Sequence, residues 1–247
     1  MADSKRQQNN IRPSVSCFTC QWRERTEWCV LDEGDLGLLD EKKATSRVRS
    51  GHFIFHQGDP CSGVFTIMDG VVAIRKTDSQ GHTVMVRLRH PGETIGYRDF
   101  FHGKIFTTSA QALSESTVCF IDAQSVGTLL ERNPALGLGF LESIATDLQV
   151  AEEAILQSAS LPVRTRLIHL LLALKDRYAD VRPDGAMFMK LPLSRQDIAD
   201  ILGARPETIA RIIHSLENDQ VAYFSGRMVV MPDLDLLLDE IEKPHAI

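Results

Sequence analysis

The segment from Leu193 to Val221 constrains the fold of this chain most strongly, because it predicts two short helices joined by a tight turn. Ser194 is a suitable N-cap for the first helix, and Asp197 follows three residues later as an acidic first-turn partner. Gly203 stands where this helix must end, since glycine tolerates the positive φ that a helix C-terminus often requires. Pro206 fits the first turn of the second helix. The segment is therefore predicted to be a helix-turn-helix.

A helix-turn-helix places its second helix in the major groove of DNA, where the first turns reach the base edges. Arg211 can bind guanine through two hydrogen bonds, and Glu207 can accept one from a cytosine amino group. The stretch from Phe224 to Met231 predicts a β-hairpin with its turn at Ser225–Gly226, as expected for the wing beside such a pair of helices. The alternative is a surface pair of helices with an incidental Glu207–Arg211 ion pair. The predicted DNA-contacting residues are Arg205, Glu207, Thr208, Ala210 and Arg211.

The overall composition is ordinary for a soluble globular chain long enough for two domains, with 247 residues, 43% hydrophobic and 24% charged. No apolar run approaches the roughly 20 residues that span a bilayer. The polar N-terminus has no signal-peptide core, so we expect a cytoplasmic protein with no membrane partner. The net charge is −6, but residues 163–232 carry 10 Lys and Arg against 8 Asp and Glu. A weakly positive reading domain still binds DNA if its cations face the phosphates.

Three of the five cysteines are crowded into thirteen residues near the N-terminus. A C-x2-C pair places the thiolates of Cys17 and Cys20 on one side of a turn, and Cys29 can supply a third ligand from a loop. In a cytosolic protein such a group is more often metal-binding or redox-active than a disulfide framework. Trp22 and Trp28 could shield a metal centre from water. Zinc binding, or a flexible arm with incidental thiols, is the alternative.

Residues 46–125 predict a small β-sandwich or barrel, because short β-branched or aromatic runs alternate with turn residues. The predicted strands begin near Gly51, Gly63, Gly70, Val84 and Ser116. A short helix from Gly34 to Lys43 precedes them.

From Pro134 onward the apolar residues recur at the spacing of a long helix. We name Leu141, Ile144, Leu148, Ala151 and Ile155 the apolar stripe. Such a stripe can form a two-stranded coiled coil with a second subunit or pack inside its own domain. A break at Ser158–Pro162 suits a hinge, and a leucine-rich helix is predicted from Val163 to Tyr178.

A β-roll, a long helix and a winged helix-turn-helix in this order resemble the family of the bacterial cyclic-AMP receptor protein and the fumarate-nitrate reduction regulator, CRP/FNR. The motifs that carry the resemblance are Gly58-Asp59, Val64–Ile67 with Gly70, Pro91–Gly96 and the Pro206–Arg211 recognition helix. The resemblance spans roughly residues 17–232. It implies an α+β fold with a cysteine-rich arm (1–32), a β-roll sensor domain like those that bind cyclic nucleotides (33–133), a dimerisation helix (134–160) and a winged helix-turn-helix DNA-binding domain (161–247).

Within the family the chain is most similar to the FNR branch, whose members hold a [4Fe-4S] cluster on three N-terminal cysteines and one from the roll. Cys17, Cys20 and Cys29 match the first three, and Cys119 matches the fourth. Cys61 has no counterpart and is read as a spare or structural thiol. The gap from Cys20 to Cys29 is about three residues longer than usual, which a loop tolerates because closure entropy grows slowly with length.

Two other sensor types remain as alternatives. Glu93 is compatible with a cyclic-nucleotide pocket, but the phosphate-binding Arg-Ser pair of that branch is absent from Lys104–Ser109. A haem or another small effector in the roll is the second alternative. Several histidines are available there but have no diagnostic spacing: His52, His56, His82, His90 and His102.

The resemblance also implies partners and a mechanism. We expect a homodimer on palindromic double-stranded DNA, with RNA polymerase as a further partner. Glu207 and Arg211 match the pair that reads a TGA/TCA core, and Ala210 replaces the Ser of the FNR branch or the Gly of the CRP branch. An intact cluster is expected to dock the arm on the roll and favour pairing, which oxygen or nitric oxide reverses. The stripe itself has no acidic residue, so pairing can persist without the cluster.

No enzyme is expected, because the chain has no glycine-rich phosphate loop, no His-Glu-x-x-His motif and no nucleophile motif. A DNA binder that uses the same four cysteines for structural zinc is the alternative from a different functional class.

Overall fold

The structure is a computed structural model that describes residues 16–183 and 185–242. The parts of the predicted arm and DNA-binding domain at 1–15 and 243–247 lie outside these residues. The chain divides into two compact units, one containing residues 16–77 and 87–145 and the other containing 78–86 and 146–242. No helix in the described part of the chain is long and apolar enough to cross a membrane.

The strands between residues 44 and 122 form two four-stranded sheets with the orders β1-β8-β3-β6 and β2-β7-β4-β5. The strands are β1 Ala44–Val48, β2 Phe53–Phe55, β3 Gly63–Asp69, β4 Val72–Thr77, β5 Thr83–Arg89, β6 Thr94–Ile95, β7 Ser109–Ala112 and β8 Ser116–Asp122. The helices are α1 Glu33–Lys42, α2 Tyr97–His102, α3 Ala123–Arg132 and the long α4 Pro134–Ser160, which continues into the second unit. The predicted β-roll and the helix that follows it are therefore confirmed.

The sequence pattern misses β6, which has only two residues, and it also misses β1 and β7, for different physical reasons. In β1 most side chains are exposed, so the strand lacks the alternation of buried and exposed residues that identifies a half-buried strand. In β7 the buried side chains are Ala110 and Ala112, which are too small to signal a strand by β-branched or aromatic content. Both strands are held in place by longer neighbours, β8 and β4.

The core of the first unit has two parts. One fills the interior of the roll, where the rings of Phe55 and Phe106 stack with centroids 3.8 Å apart. The other joins the cysteine-bearing segment to the roll and to α4, with Trp28 edge-on to Phe140 at 5.5 Å between centroids. The cysteine-bearing segment, residues 17–30, is therefore part of the core of this unit rather than an appendage to it.

The second unit contains the predicted helix-turn-helix and a small antiparallel sheet with the order β11-β12-β10-β9. Its elements are α5 Val163–Tyr178, β9 Ala179–Val181, β10 Met187–Lys190, α6 Arg195–Leu202, α7 Pro206–Asn218, β11 Tyr223–Ser225, β12 Met228–Met231 and α8 Leu234–Glu242. The bounds of α5 agree with the prediction. Strands β9 and β10 and helix α8 were not predicted.

Local sequence rules account for the turn between α6 and α7. Ser194 and Asp197 form a reciprocal capping box, in which each side chain accepts a hydrogen bond from the backbone N–H of the other. Gly203 ends α6 with φ of +59°, in the left-handed region that glycine enters without strain. Pro206 opens α7. The predicted helix-turn-helix is confirmed in each of these details.

Two predicted boundaries differ from those in the structure. Helix α4 continues to Ser160, so the predicted break at Ser158–Pro162 shrinks to Leu161 and Pro162. The wing turn lies at Gly226 and Arg227 rather than one residue earlier, because Ser225 pairs with Met228 in the ladder. Gly226 has φ of +60°, as the first central residue of a tight hairpin turn requires.

Candidate functional site

The recognition helix α7 presents the predicted DNA-contacting residues on one exposed face. Its other face buries Ile209, Ile213 and Leu216 in the second unit. The side chains of Arg205, Glu207, Ala210 and Arg211 are exposed, and Thr208 is half-buried. This division gives the first two turns of α7 an accessible polar face next to a fixed apolar one, which is the arrangement needed for reading bases in the major groove.

Two of the charged residues on this face, Glu207 and Arg211, are available to a ligand. In the described part of the chain, the side chains of Glu207 and Arg211 make no ion pair or hydrogen bond, with each other or with a third residue. The incidental ion pair that the surface-helix alternative required is therefore not formed.

The carboxyl end of α7 is tied to the rest of its unit by Arg164 of α5. Its guanidinium contacts Asp219 at 2.8 Å, Glu240 of α8 at 2.7 Å and the hydroxyl of Ser215 at 2.7 Å. Burial alone would lower the pKa of Arg164, but these acidic partners raise it. Arg164 could not be identified from the sequence because its three partners lie 51 to 76 positions away. Arg164 thus ties the carboxyl end of the recognition helix to α5 and α8.

The wing is packed onto the first helix of the motif. The guanidinium of Arg195, the first residue of α6, lies 4.8 Å from the ring centroid of Phe224 in β11. Arg227 at the wing turn is exposed. The wing therefore offers a cation from a hairpin whose position is fixed by contact with α6.

Three of the four predicted cluster ligands meet at one cavity in the first unit. Cys17, Cys20 and Cys119 line a cavity with a volume of about 30 Å³. We call it the cysteine cavity. Its other lining residues are Arg23, Thr26, Trp28, Leu36, Leu39, Lys43, Thr66, Met68 and Ile121. Cys29 is exposed on the 3-10 turn Glu27–Val30 and is not among the lining residues.

Each side of the cavity is positioned by a different element. Cys17 begins a 3-10 turn capped by Ser16, and its backbone N–H donates to the Asp40 carboxylate of α1 at 2.6 Å. Cys119 lies in the middle of β8, opposite Thr45 of β1 and Thr66 of β3. Side chains directly opposite each other on neighbouring strands share a face of the sheet. The cavity is therefore formed between α1 and one face of the roll.

A buried cation accompanies these thiols. The side chain of Lys43 is only 2% exposed, lines the cavity and is ion-paired with Asp40. Burial raises the pKa of Cys17 to about 12, and the charge of Lys43 offsets this only in part. Burial also raises the pKa of Cys119, although a hydrogen bond with Thr45 opposes it. Both thiols are therefore protonated near neutral pH, and a metal that binds them must displace the protons.

Two tryptophans attach the cysteine-bearing segment to the roll. The indole N–H of Trp22 donates to the carbonyl of Met68 at 2.9 Å, and that of Trp28 donates to the hydroxyl of Thr66 at 3.0 Å. Trp28 is buried and lines the cysteine cavity, as the predicted shielding requires. Trp22 packs over Gly92 and is not among the lining residues.

The remaining candidate residues of the roll lie elsewhere. The carboxylate of Glu93 accepts a hydrogen bond from the guanidinium of Arg89 at 3.3 Å and lies 3.7 Å from Nδ1 of His90. Of the five histidines considered as haem ligands, only His90 is buried. Cys61 is half-buried, 3.6 Å from the carbonyl of Gly63, and is not among the residues lining the cysteine cavity. Within residues 16–183 and 185–242, no three His, Cys, Asp or Glu side chains are arranged to hold a single metal ion.

The apolar stripe on α4 is largely exposed. Leu148 is 59% exposed and Ile155 is 69% exposed, and Leu141 and Ala151 are also exposed. Ile144 differs, because it is half-buried and packs against the core that contains Trp28 and Phe140. The stripe is thus open along most of the helix and is connected to the core at Ile144.

Comparison with known proteins agrees with this architecture. Residues 45–133 match the cyclic nucleotide-binding domain family, and residues 165–240 match the Crp-like helix-turn-helix domain family. The transcriptional activator protein FnrL of Cereibacter sphaeroides is 25% identical over 228 residues, which cover 91% of this chain and 91% of FnrL. The cAMP-activated global transcriptional regulator CRP of Salmonella typhimurium is 28% identical over 180 residues, which cover 72% of this chain and 84% of CRP.

The fold is also found in solved structures. That of FixK2 from Bradyrhizobium japonicum superposes with a TM-score of 0.70 at 23% identity, covering 83% of this chain and 99% of FixK2. Both domain families and an exposed recognition helix are thus present in one chain, in the order expected from the sequence. The protein is a DNA-binding transcription regulator of the CRP/FNR family.

Proposed function

We propose that this regulator senses oxygen or nitric oxide through a [4Fe-4S] cluster on Cys17, Cys20, Cys29 and Cys119, and that the cluster controls dimerisation and DNA binding. One observation carries the proposal. Cys119 lies roughly 100 residues after Cys17 and Cys20 in the sequence, yet all three line one cavity. Such convergence is expected of a site that holds a group and not of incidental thiols.

The donor set and its surroundings suit such a cluster. All five cysteines are free thiols, and the preferred ligands of iron–sulfur clusters are cysteine thiolates. Lys43 and Arg23 line the cavity and can offset the negative charge of a thiolate-ligated cluster. Trp28, Leu36 and Ile121 supply apolar walls that limit contact with water. When bound, the cluster would supply a group that oxygen and nitric oxide destroy.

The chain's own residues hold the proposed ligands in position. Asp40 fixes the position of Cys17, and Trp22 and Trp28 hold the cysteine-bearing segment on the roll. Cys29 is the predicted ligand that lies outside the cavity, on the exposed turn Glu27–Val30.

The output is a dimer on DNA. Regulators of the CRP/FNR family bind DNA and act as dimers. We assign the pairing surface to the apolar stripe, because Leu141, Leu148 and Ile155 recur at the spacing of a coiled coil and are exposed. Two recognition helices related by a two-fold axis would then read a palindrome whose half-sites lie one turn apart. RNA polymerase is the expected partner at the promoter, and the cytoplasm is the expected location.

Anaerobic purification tests the sensing proposal. We expect a coloured protein with about four irons and about four acid-labile sulfides per chain that bleaches in air, with a parallel loss of affinity for a palindromic TGA/TCA duplex. A colourless protein with about one zinc per chain would instead make the cysteines structural. Serine variants of Cys17, Cys20, Cys29 and Cys119 should each lose iron, and Cys61→Ser is the matched control that should keep it.

A further inference from the structure

The hydrogen-bond network around Glu27 connects the cysteine cavity to the long helix. We propose that Glu27 is the positioning residue through which the state of the cysteine site is transmitted to α4. The inference rests on the proposed cluster function and adds to it the specific contact that links the site to the dimer helix. Glu27 precedes Trp28 and Cys29 directly in the sequence.

The carboxylate of Glu27 bridges the roll and the helix. One of its oxygens accepts a hydrogen bond from the hydroxyl of Ser143 on α4 at 2.6 Å. Its other oxygen accepts one from the hydroxyl of Thr94 on β6 at 2.7 Å. Hydrogen bonds to an ionised carboxylate are shorter and stronger than those between neutral groups. Glu27 therefore holds Ser143 at a fixed distance from the roll.

The same network reaches the wall of the cysteine cavity. Thr94 lies 3.3 Å from Thr66, oxygen to oxygen, and Thr66 accepts the indole N–H of Trp28 at 3.0 Å. Both Thr66 and Trp28 line the cavity, and Thr66, Thr94 and Trp28 are buried. A change in the cavity wall can therefore reach Glu27 through Trp28, its direct neighbour in the chain, or through the two threonines.

Helix α4 packs against this segment. A Cβ placed on Gly139 would lie 3.5 Å from the Cβ of Glu27, so the backbone of α4 packs directly on this side chain. Gly139 and Ser143 are four residues apart and share a face of the helix. Phe140, between them in sequence, packs edge-on against Trp28. Two consecutive residues of the cysteine-bearing segment thus contact one turn of α4.

This turn leads to the surface that we assign to pairing. Ser143 is followed by Ile144, the stripe residue that packs against the core, and the exposed Leu141 and Leu148 lie within about a turn and a half. A shift of the Glu27 segment would therefore move the helix at the point where core and stripe meet. Packed elements of this kind have discrete arrangements and can amplify a small local displacement.

The test measures how strongly the cluster and DNA binding are coupled. Affinity for the palindromic duplex is measured by fluorescence anisotropy for cluster-loaded and air-bleached forms of the wild type, Glu27→Gln, Ser143→Ala and the double variant. Couplings between sites are typically on the order of 5–150-fold. The ratio of the dissociation constants of the bleached and loaded forms for the duplex measures the coupling. We expect this ratio to fall at least about fivefold in each single variant, while iron and sulfide per chain stay unchanged. The double variant should lose no more coupling than either single variant, because both substitutions act on the same Glu27–Ser143 contact.

Matched controls separate coupling from a general loss of structure. Glu24→Gln removes an exposed carboxylate from the same segment, and Glu142→Gln removes one next to Ser143 on α4. Both should keep the wild-type ratio. Ser143 lies far from the three N-terminal cysteines in sequence. A Ser143→Ala variant that keeps the wild-type ratio would overturn the inference, as would loss of iron from Glu27→Gln. A wild type that binds no iron would instead refute the cluster proposal, so the two failures are distinguishable.

Discussion

The backbone N–H of Cys17 donates a hydrogen bond to the carboxylate of Asp40 at 2.6 Å, and the same carboxylate is paired with the buried Lys43. One acidic side chain on α1 thus fixes the C-x2-C turn and neutralises the cation that lines the cysteine cavity. Replacing it disturbs both. The stability of the protein without a cluster reports this double role directly.

We expect Asp40→Asn to lower the free energy of unfolding of the cluster-free protein by about 2 kcal/mol, because Lys43 is left buried without its charge partner. Urea denaturation measures this change. Glu41→Gln is the matched control, since Glu41 pairs with Lys42 on the surface and such pairs contribute less than about 1 kcal/mol. Equal losses in the two variants would contradict the role assigned to Asp40.

The Asp40 effect should also depend on pH. Burial raises the pKa of Asp40, but hydrogen bonds from Lys43 and from the backbone N–H of Cys17 outweigh it and lower the pKa from 3.8 to about 2. A lowered folded-state pKa gives stability that is present above the ordinary pKa and is lost as pH falls through the lowered one. The difference between wild type and Asp40→Asn should therefore hold from pH 7 to pH 5 and shrink between pH 4 and pH 2. A difference that stays constant down to pH 2 would exclude this ion pair as its source.

The thiols should differ in reactivity before a cluster is inserted. We expect iodoacetamide at pH 8 to modify the exposed Cys29 at least about tenfold faster than Cys17 or Cys119, whose pKa values burial raises. Peptide mass spectrometry over time measures the three rates. Urea should abolish the difference, and uniform rates in the folded protein would contradict the protection of Cys17 and Cys119 by burial.

Base reading by α7 can be tested residue by residue. Alanine in place of Arg211 or Glu207 should cost about 1–3 kcal/mol of binding to the TGA/TCA core and relax the preference at the base that each residue contacts.

Arg227→Ala on the wing should weaken binding to all duplexes alike, as loss of a phosphate contact does. The Ala210 side chain has no hydrogen-bonding group, so we expect a relaxed base preference at the outer position of each half-site, which Ala210→Ser should narrow. Selection of a strict TGTGA half-site by the wild type would refute an FNR-like preference.

The pairing surface can be tested with a charge on each side of α4. Leu148→Glu places a carboxylate in the apolar stripe and should shift the protein to monomer in analytical ultracentrifugation, by at least about tenfold in the dissociation constant. Val150→Glu is the control, because Val150 is also exposed but lies 200° around the helix from Leu148. If Val150→Glu dissociates the dimer instead, pairing uses another face.

Sequence reasoning succeeded where the information is local. The capping box at Ser194, the positive φ at Gly203 and the proline at the start of α7 follow from nearest neighbours, and all three are confirmed. Strand β7 was missed because its buried side chains are alanines, which give no periodic signal. Helix α8 was missed because its leucines stand among acidic residues that were counted only for their charge.

In the candidate sites, too, local features could be predicted from the sequence and long-range contacts could not. The exposed face of α7 could be read from helical periodicity, but the link between Glu27 and Ser143 spans 116 residues and leaves no local pattern. Asp40 and Lys43 stand at i, i+3 on or next to a helix, a spacing too common to single them out. Cys119 was assigned through resemblance alone, and only the pairing of β8 with its neighbours brings it near Cys17.

The position of Cys119 in the middle of β8 sets an order of events during synthesis. Cys17 and Cys20 leave the ribosome roughly 100 residues before Cys119, and β8 must then pair with β1 and β3 before the three thiols share one cavity. Under the proposed function, the nascent cysteine-bearing segment alone would offer iron no complete site. Cluster insertion would then follow closure of the roll, and metal loading would report that this domain has folded.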